Sequence, residues 1–94
     1  MLNAWNNATT VKPALSTARR EISLGEIPAG SHATIEKFDE RMPRGQRESL
    51  QVYGIIPGQR VRVVQQRPVT VVEVEQTELA FEGEIARWVI VQRD

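Results

Sequence analysis

The sequence predicts a small all-β (mainly β) domain. It reads as an antiparallel barrel of SH3-like or OB-like size, with about five strands and one short helix between strands 1 and 2. Three observations carry this. From residue 32 onward, short stretches place apolar residues at alternate positions, the period of a half-buried strand. Proline and glycine punctuate these stretches as turns, at Pro28-Ala29-Gly30 and Pro57-Gly58. Ninety-four residues hold one domain at most, with a modest core.

Residues 1–12 (MLNAWNNATTVK) are polar and aperiodic, with Trp5 as an apolar handle. Pro13 to Arg20 is expected to form a short helix, because Leu15, Ala18 and Ile22 share one helical face. Residues 1–22 are thus a tail and 23–94 the domain. Ser23 to Gly30 is a turn-rich lead-in anchored by Leu24 and Ile27. It feeds a strand over residues 32–38, where Ala33 and Ile35 alternate with Thr34 and Glu36. Residues 39–45 are charged and interrupted by Pro43, hence a loop. A helix of two turns over residues 46–53 follows, burying Leu50 and Tyr53 at i, i+3.

The stretch Leu50 to Val64 (LQVYGIIPGQRVRVV) joins helix to strand. Gly54 is placed as the first residue past the helix cap, in the left-handed region that glycine enters without a Cβ penalty. Pro57-Gly58 makes the next turn, and alternation then sets Val61 and Val63 on one side, with Arg60, Arg62 and Val64 on the other. Residues 70–76 and 78–82 are close enough to form a tight hairpin around Gln76-Thr77. Neither residue is of the Asn-Gly type, so a longer or bulged turn stays open. Residues 83–87 read as a single helical turn, and Trp88 to Gln92 closes the chain as an apolar strand.

Composition excludes several function classes. Twelve Lys+Arg balance twelve Asp+Glu, so no global field favours nucleic acid or an anionic membrane. The aromatics are not interleaved with arginine as a stacking platform requires. There is no cysteine and only one histidine, His32, which leaves no thiolate chemistry and no Cys-type zinc site. No Ser-His-Asp spacing and no phosphate-cradling glycine loop is present, so no enzyme is expected. No apolar run reaches the roughly 20 residues of a membrane helix, and the absence of a secretion-signal layout reads as cytoplasmic.

Three blocks, SLGEIPAGSHATIEKF, LQVYGIIPGQRVRVV and TELAFEGEIARWVIV, together resemble the FeoA domain family, which accompanies bacterial ferrous-iron transport. Leu24, Ile27, Pro28 and Gly30 fit the first block of the family pattern. Leu50, Gly54, Ile55, Pro57, Gly58, Val61 and Val63 fit the second, and Leu79, Ala80, Ala86, Val89 and Val91 the third. The resemblance spans residues 23–92. It departs where paired arginines of the pattern become Arg47-Glu48-Ser49, where a leucine becomes Tyr53, and where a basic residue becomes Glu82. It implies an SH3-like barrel without catalytic activity, assisting FeoB, the GTP-driven ferrous-iron permease. The same domain also ends iron-dependent repressors that resemble the diphtheria toxin repressor; the stand-alone form is the expected analogue here.

The candidate sites follow from these readings. With Val89 and Val91 inward, alternation turns Trp88 and Ile90 to the opposite face, an apolar surface of the kind that marks protein contact. Trp88 and Ile90, with Arg41, Arg44 and Arg47 of the loop and helix, are the expected partner-binding residues. The alternative is that the tail, through Leu15 and Ile22, covers Trp88. Gly54, Pro57 and Gly58 are structural turn positions. No cofactor is expected. The alternative is weak binding of ferrous iron or another divalent cation by His32, Glu73 and Glu75, in a run of carboxylates that otherwise reads as a solvated strand face. The expected partner is the FeoB-type permease or another protein, with no nucleic acid and no membrane insertion; a homo-oligomer stays open.

Overall fold

The computed structural model describes residues 20–94. Its elements in chain order are β1 (Ile22–Ser23), a 3-10 turn (Leu24–Glu26), β2 (His32–Phe38), α1 (Arg44–Val52), β3 (Arg60–Gln65), β4 (Thr70–Val74), β5 (Thr77–Phe81), α2 (Gly83–Ala86) and β6 (Val89–Arg93). The strands form one sheet in the order β1-β6-β2-β3-β4-β5, every neighbouring pair antiparallel. The sheet curls in the SH3-like manner without closing. Its terminal strands, β1 and β5, are not paired, and α2 packs instead against the 3-10 turn. The mainly-β expectation holds, with six strands rather than five. The extra one is β1, two residues that become a strand only because β6 offers them an edge. The expected helix from Pro13, Trp5, and the covering role of Leu15 fall outside the described residues.

Alternation builds the core. Ala33 and Ile35 of β2, Val61 and Val63 of β3, Val72 and Val74 of β4, and Val89 and Val91 of β6 all point into one apolar cluster. The lead-in contributes Leu24 and Ile27, and the connections contribute Met42, Ile55, Ile85 and Ala86. One side-chain amide ties the lead-in to the β3–β4 connection. Gln66 Nε2 donates to the carbonyls of Leu24 (3.0 Å) and Ile27 (2.6 Å), and its Oε1 accepts from the buried Thr70 hydroxyl at 2.9 Å.

The helix-to-strand joint forms as the sequence predicts. Gly54 has φ +99°; its N–H bonds the Gln51 carbonyl (3.1 Å), and the Ile55 N–H bonds that of Leu50 (3.0 Å). This is a Schellman cap, with Ile55 and Leu50 both buried at its side. A Cβ on Gly54 would stand 3.0 Å from Val74 Cγ1. Gly58, at φ +93°, takes the third position of a turn closed by the Gln59 N–H on the Ile56 carbonyl at 3.0 Å.

Two expectations are corrected here. Helix α1 starts at Arg44 rather than residue 46, because the Pro43 carbonyl already accepts the Gln46 and Arg47 amides. The β4–β5 hairpin is tight, as expected, but its two-residue turn is Glu75-Gln76 rather than Gln76-Thr77. Glu75 accepts φ +59° to make it.

Candidate functional site

The expected apolar face on β6 is not there. Alternation does place Ile90 opposite to Val89 and Val91, since both valines join the core cluster and Ile90 does not. Yet Ile90 is only 4% exposed. Strand β6 lies between β1 and β2, with Ile90 facing Ser23 on one side and Lys37 on the other. An ion pair joins Lys37 of β2 to Glu21, the residue just before β1. Trp88 is half-buried against the core cluster. Ile90 therefore leaves the list of accessible contact residues.

The three arginines do not form a free cationic patch either. Arg41 clamps Asp39 through Nε (3.0 Å) and a terminal nitrogen (2.9 Å), and its backbone N–H adds a third bond at 2.8 Å. These hydrogen bonds, side chain first and backbone second, hold the Asp39 carboxyl well below the usual aspartate range. Arg44 reaches Glu48 at 3.4 Å along α1. Arg47 is half-buried, its Nε without a hydrogen-bond partner among the described residues.

The alternative metal residues stay apart. His32 sits opposite Arg62, whose Nε donates to Glu73 at 3.1 Å, while Glu75 lies out in the hairpin turn. Among the described residues, no group of three His, Asp or Glu side chains is placed to hold a metal ion.

What the structure does assemble is a groove of about 640 Å³ between α1 and the outer strand β5. Leu50 and Tyr53 supply one wall, Leu79 and Phe81 the other, and Ile85 the end. Contrary to expectation, Tyr53 is not core. As the cap residue it sits where the helix ends, 59% exposed, beside Val52 (79%) and Ile56 (43%). Of these three, Tyr53 lines the groove, and Glu78 and Glu82 line it with carboxylates. The groove joins segments about 30 residues apart, so no local periodicity announces it. The one local signal is the pair Val52-Tyr53 following Leu50, more apolar surface than a two-turn helix can bury on one side.

Comparison with known proteins gives three kinds of result. A family model described as the FeoA domain matches residues 22–93. Among solved structures, FeoA of Stenotrophomonas maltophilia, complexed with zinc, is similar at 26% identity and TM-score 0.66, over 76% of this chain and 89% of that one. FeoA of Chlorobium tepidum is similar at 20% identity and TM-score 0.71, over 77% and 70%. IdeR of T. acidophilum shares the fold at 19% identity and TM-score 0.72, with 89% of this chain covering 37% of that one. A search of curated proteins returns no match.

Proposed function

This chain belongs to the FeoA domain family, and from that premise we propose that it is a non-enzymatic accessory protein of ferrous-iron transport, acting by contact with a FeoB-type permease. The observation that carries the contact is the groove between α1 and β5, where the exposed Tyr53 stands with Leu50, Leu79 and Phe81. Exposed apolar residues grouped in this way fit protein association better than they fit a solvated surface. The S. maltophilia relative, a procaryotic SH3 domain protein, has been put forward as a ferrous iron transport activating factor. That role is the one we extend to this chain.

The test is binding of the full chain to the permease's cytoplasmic domain, comparing wild type with Tyr53→Glu. Tyr53 is exposed enough that the fold persists, and a tenfold or greater loss of affinity is expected. Unchanged affinity with a folded variant would remove the groove from the contact.

A second reading, a metal-sensing domain using His32, Glu73 and Glu75, draws on the zinc complex of the same relative. It ranks below protein contact because those side chains do not converge. Anaerobic calorimetric titration with ferrous or manganous ion decides it: saturable heat supports the second reading, and heat no greater than buffer controls ends it.

A further inference from the structure

Strand β5 is the outer strand of the sheet, and the α1 groove runs along its edge rather than over one face. Six consecutive residues, 77–82, line the groove, although alternate ones belong to opposite faces. The ladder register identifies which backbone groups that edge offers. Val74 and Thr77 flank a two-residue turn and so form a hydrogen-bonded pair. Every second pair repeats this, so Leu79 and Phe81 bond back to β4. The N–H and C=O groups of Glu78 and Ala80 therefore point outward, and among the described residues no backbone group pairs with them.

Sheets guard their edges with short strands, bulges, proline or charged side chains. The opposite edge, β1, is only two residues long. Strand β5 (TELAF) has five residues and no Pro, Lys or Arg, and it runs against β4 without the register shifts that interrupt β2–β6 and β3–β4. Its one guard is Glu78, and a carboxylate is a selective guard. Glu73 lies opposite Glu78, while Arg62 of β3 pairs with Glu73 from the other side. Two carboxylates thus face each other across β4 and β5, an unfavourable arrangement unless a cation follows. The charged side chains lining the groove are Glu78 and Glu82, and neither forms an ion pair among the described residues. From Val71 to Ala86 the chain carries five Glu and no Lys or Arg.

We propose that this edge takes up an extended segment of a partner protein as an added antiparallel strand, and that the segment carries Lys or Arg on both sides of an apolar–x–apolar core. This chemistry rests on the reading of the groove as a protein contact and adds what the partner must present there.

Register dictates the pattern. Partner residues opposite Leu79 and Phe81 share their face and lie over the groove toward Leu50 and Tyr53, so they are apolar. Alternation continues to Glu82, whose backbone is still extended. Partner residues opposite Glu78 and Glu82 therefore share the other face, where basic side chains meet the two carboxylates and complete the row Arg62–Glu73–Glu78 with its missing cation. The residue between them, opposite Ala80, exchanges both backbone hydrogen bonds with it and needs its own N–H, which excludes proline. A second copy's β5 does not meet the pattern, because it would bring carboxylates and no cation.

The blocked peptide Thr-Lys-Val-Thr-Val-Lys-Thr, titrated by NMR into the full chain, tests the pattern. Saturable shifts of the Glu78 and Ala80 amides are expected in the millimolar range. Hydrogen exchange at those two amides should slow on binding, while the Leu79 amide, already bonded to β4, should be unchanged. A peptide with Glu for both lysines, and one with Pro for the central Thr, should each bind about tenfold more weakly or not at all. Glu78→Lys should remove the preference for the lysine peptide over the glutamate one. Ala80→Pro deletes an N–H that β4 does not use, and should abolish peptide binding while the fold persists. No saturable shift, equal binding of the lysine and glutamate peptides, or Glu78 and Ala80 amides already protected in the free chain would each overturn the proposal, the last because the edge would be occupied. The permease's cytoplasmic domain, used in place of the peptide, separates this strand addition from the contact it rests on. If that domain binds wild type and folded Ala80→Pro alike, the added strand falls and the contact stands. If the peptide binds and the permease domain does not, the edge stands and the permease reading falls.

Discussion

Strands β5 and β6 are each five residues long and each end of a connection through α2, yet the sheet treats them differently. Strand β6 has a neighbour on both edges, and its residues Val89, Ile90 and Val91 are all buried. Strand β5 has one neighbour, and none of its residues is fully buried. The apolar content of β6 invited a docking role, but rank in the sheet decides exposure: a central strand spends its apolar face on the fold. Only an outer strand keeps backbone groups and apolar side chains available for another chain.

The sharpest way to break this comparison is to place a charge on each strand. Ile90→Asp puts an unpaired carboxylate where 4% of the side chain sees water. It should cost more than about 3 kcal/mol, read as a lost or strongly shifted urea transition. Ala80→Asp, on the exposed face of β5, should cost under about 1 kcal/mol. Comparable costs would mean that β6 is no more enclosed than β5.

Next in size is the joint that brings α1 over the groove. Gly54→Val forces a branched side chain into φ +99° and against Val74 Cγ1, and should cost about 3 kcal/mol. Gly45→Ala lies inside α1 with nothing within 4 Å of the added Cβ, and should be neutral or stabilising by up to about 1 kcal/mol. Equal melting temperatures would refute the cap. Smaller still is Gln66→Leu, which removes the Gln66 bonds to the Leu24 and Ile27 carbonyls and to the Thr70 hydroxyl, leaving Leu24 only the Ile27 N–H. Its expected cost is about 2 kcal/mol by denaturant titration.

How much of this was legible in the sequence follows the range of the forces involved. The Gly54 cap, the Pro57-Gly58 turn and the inward set Val61, Val63, Val89 and Val91 are local, set by backbone sterics and a two-residue period, and the residues declare them. Ile90 shows the limit. Alternation assigns a side chain to a face but says nothing of what lies over that face, and here Ile90 is buried between Ser23 and Lys37. Tyr53 shows the converse: helical spacing puts it near Leu50, but the chain leaves the helix there and the ring stays in solvent. The groove depends on α1 meeting β5, a long-range juxtaposition that no window of sequence contains.

The last contrast is electrostatic and the smallest in effect. Carboxylates around β6 are partnered. Glu26 accepts the Ser23 N–H at 2.9 Å and pairs with Arg20, Asp94 pairs with Arg60, and Asp39 is held by Arg41. All three carboxyls lie below their ordinary values, 4.5 for Glu and 3.8 for Asp. With folded values depressed, the unfolded chain binds protons first as the solution is acidified. The stabilisation is therefore present above about pH 4.5 and is lost as pH falls through the depressed folded values. Arg41→Gln removes the largest cause of the Asp39 shift, leaving the backbone N–H bond and the weaker pull of the Lys37 charge. Wild type should therefore lose more stability than this variant between pH 6 and pH 2, measured as the shift in urea midpoint. The two should also draw together at the acid end. Parallel acid limbs would mean that solvent screens the clamp completely, and that the partnered carboxylates near β6 contribute no more than the unpaired ones on β5.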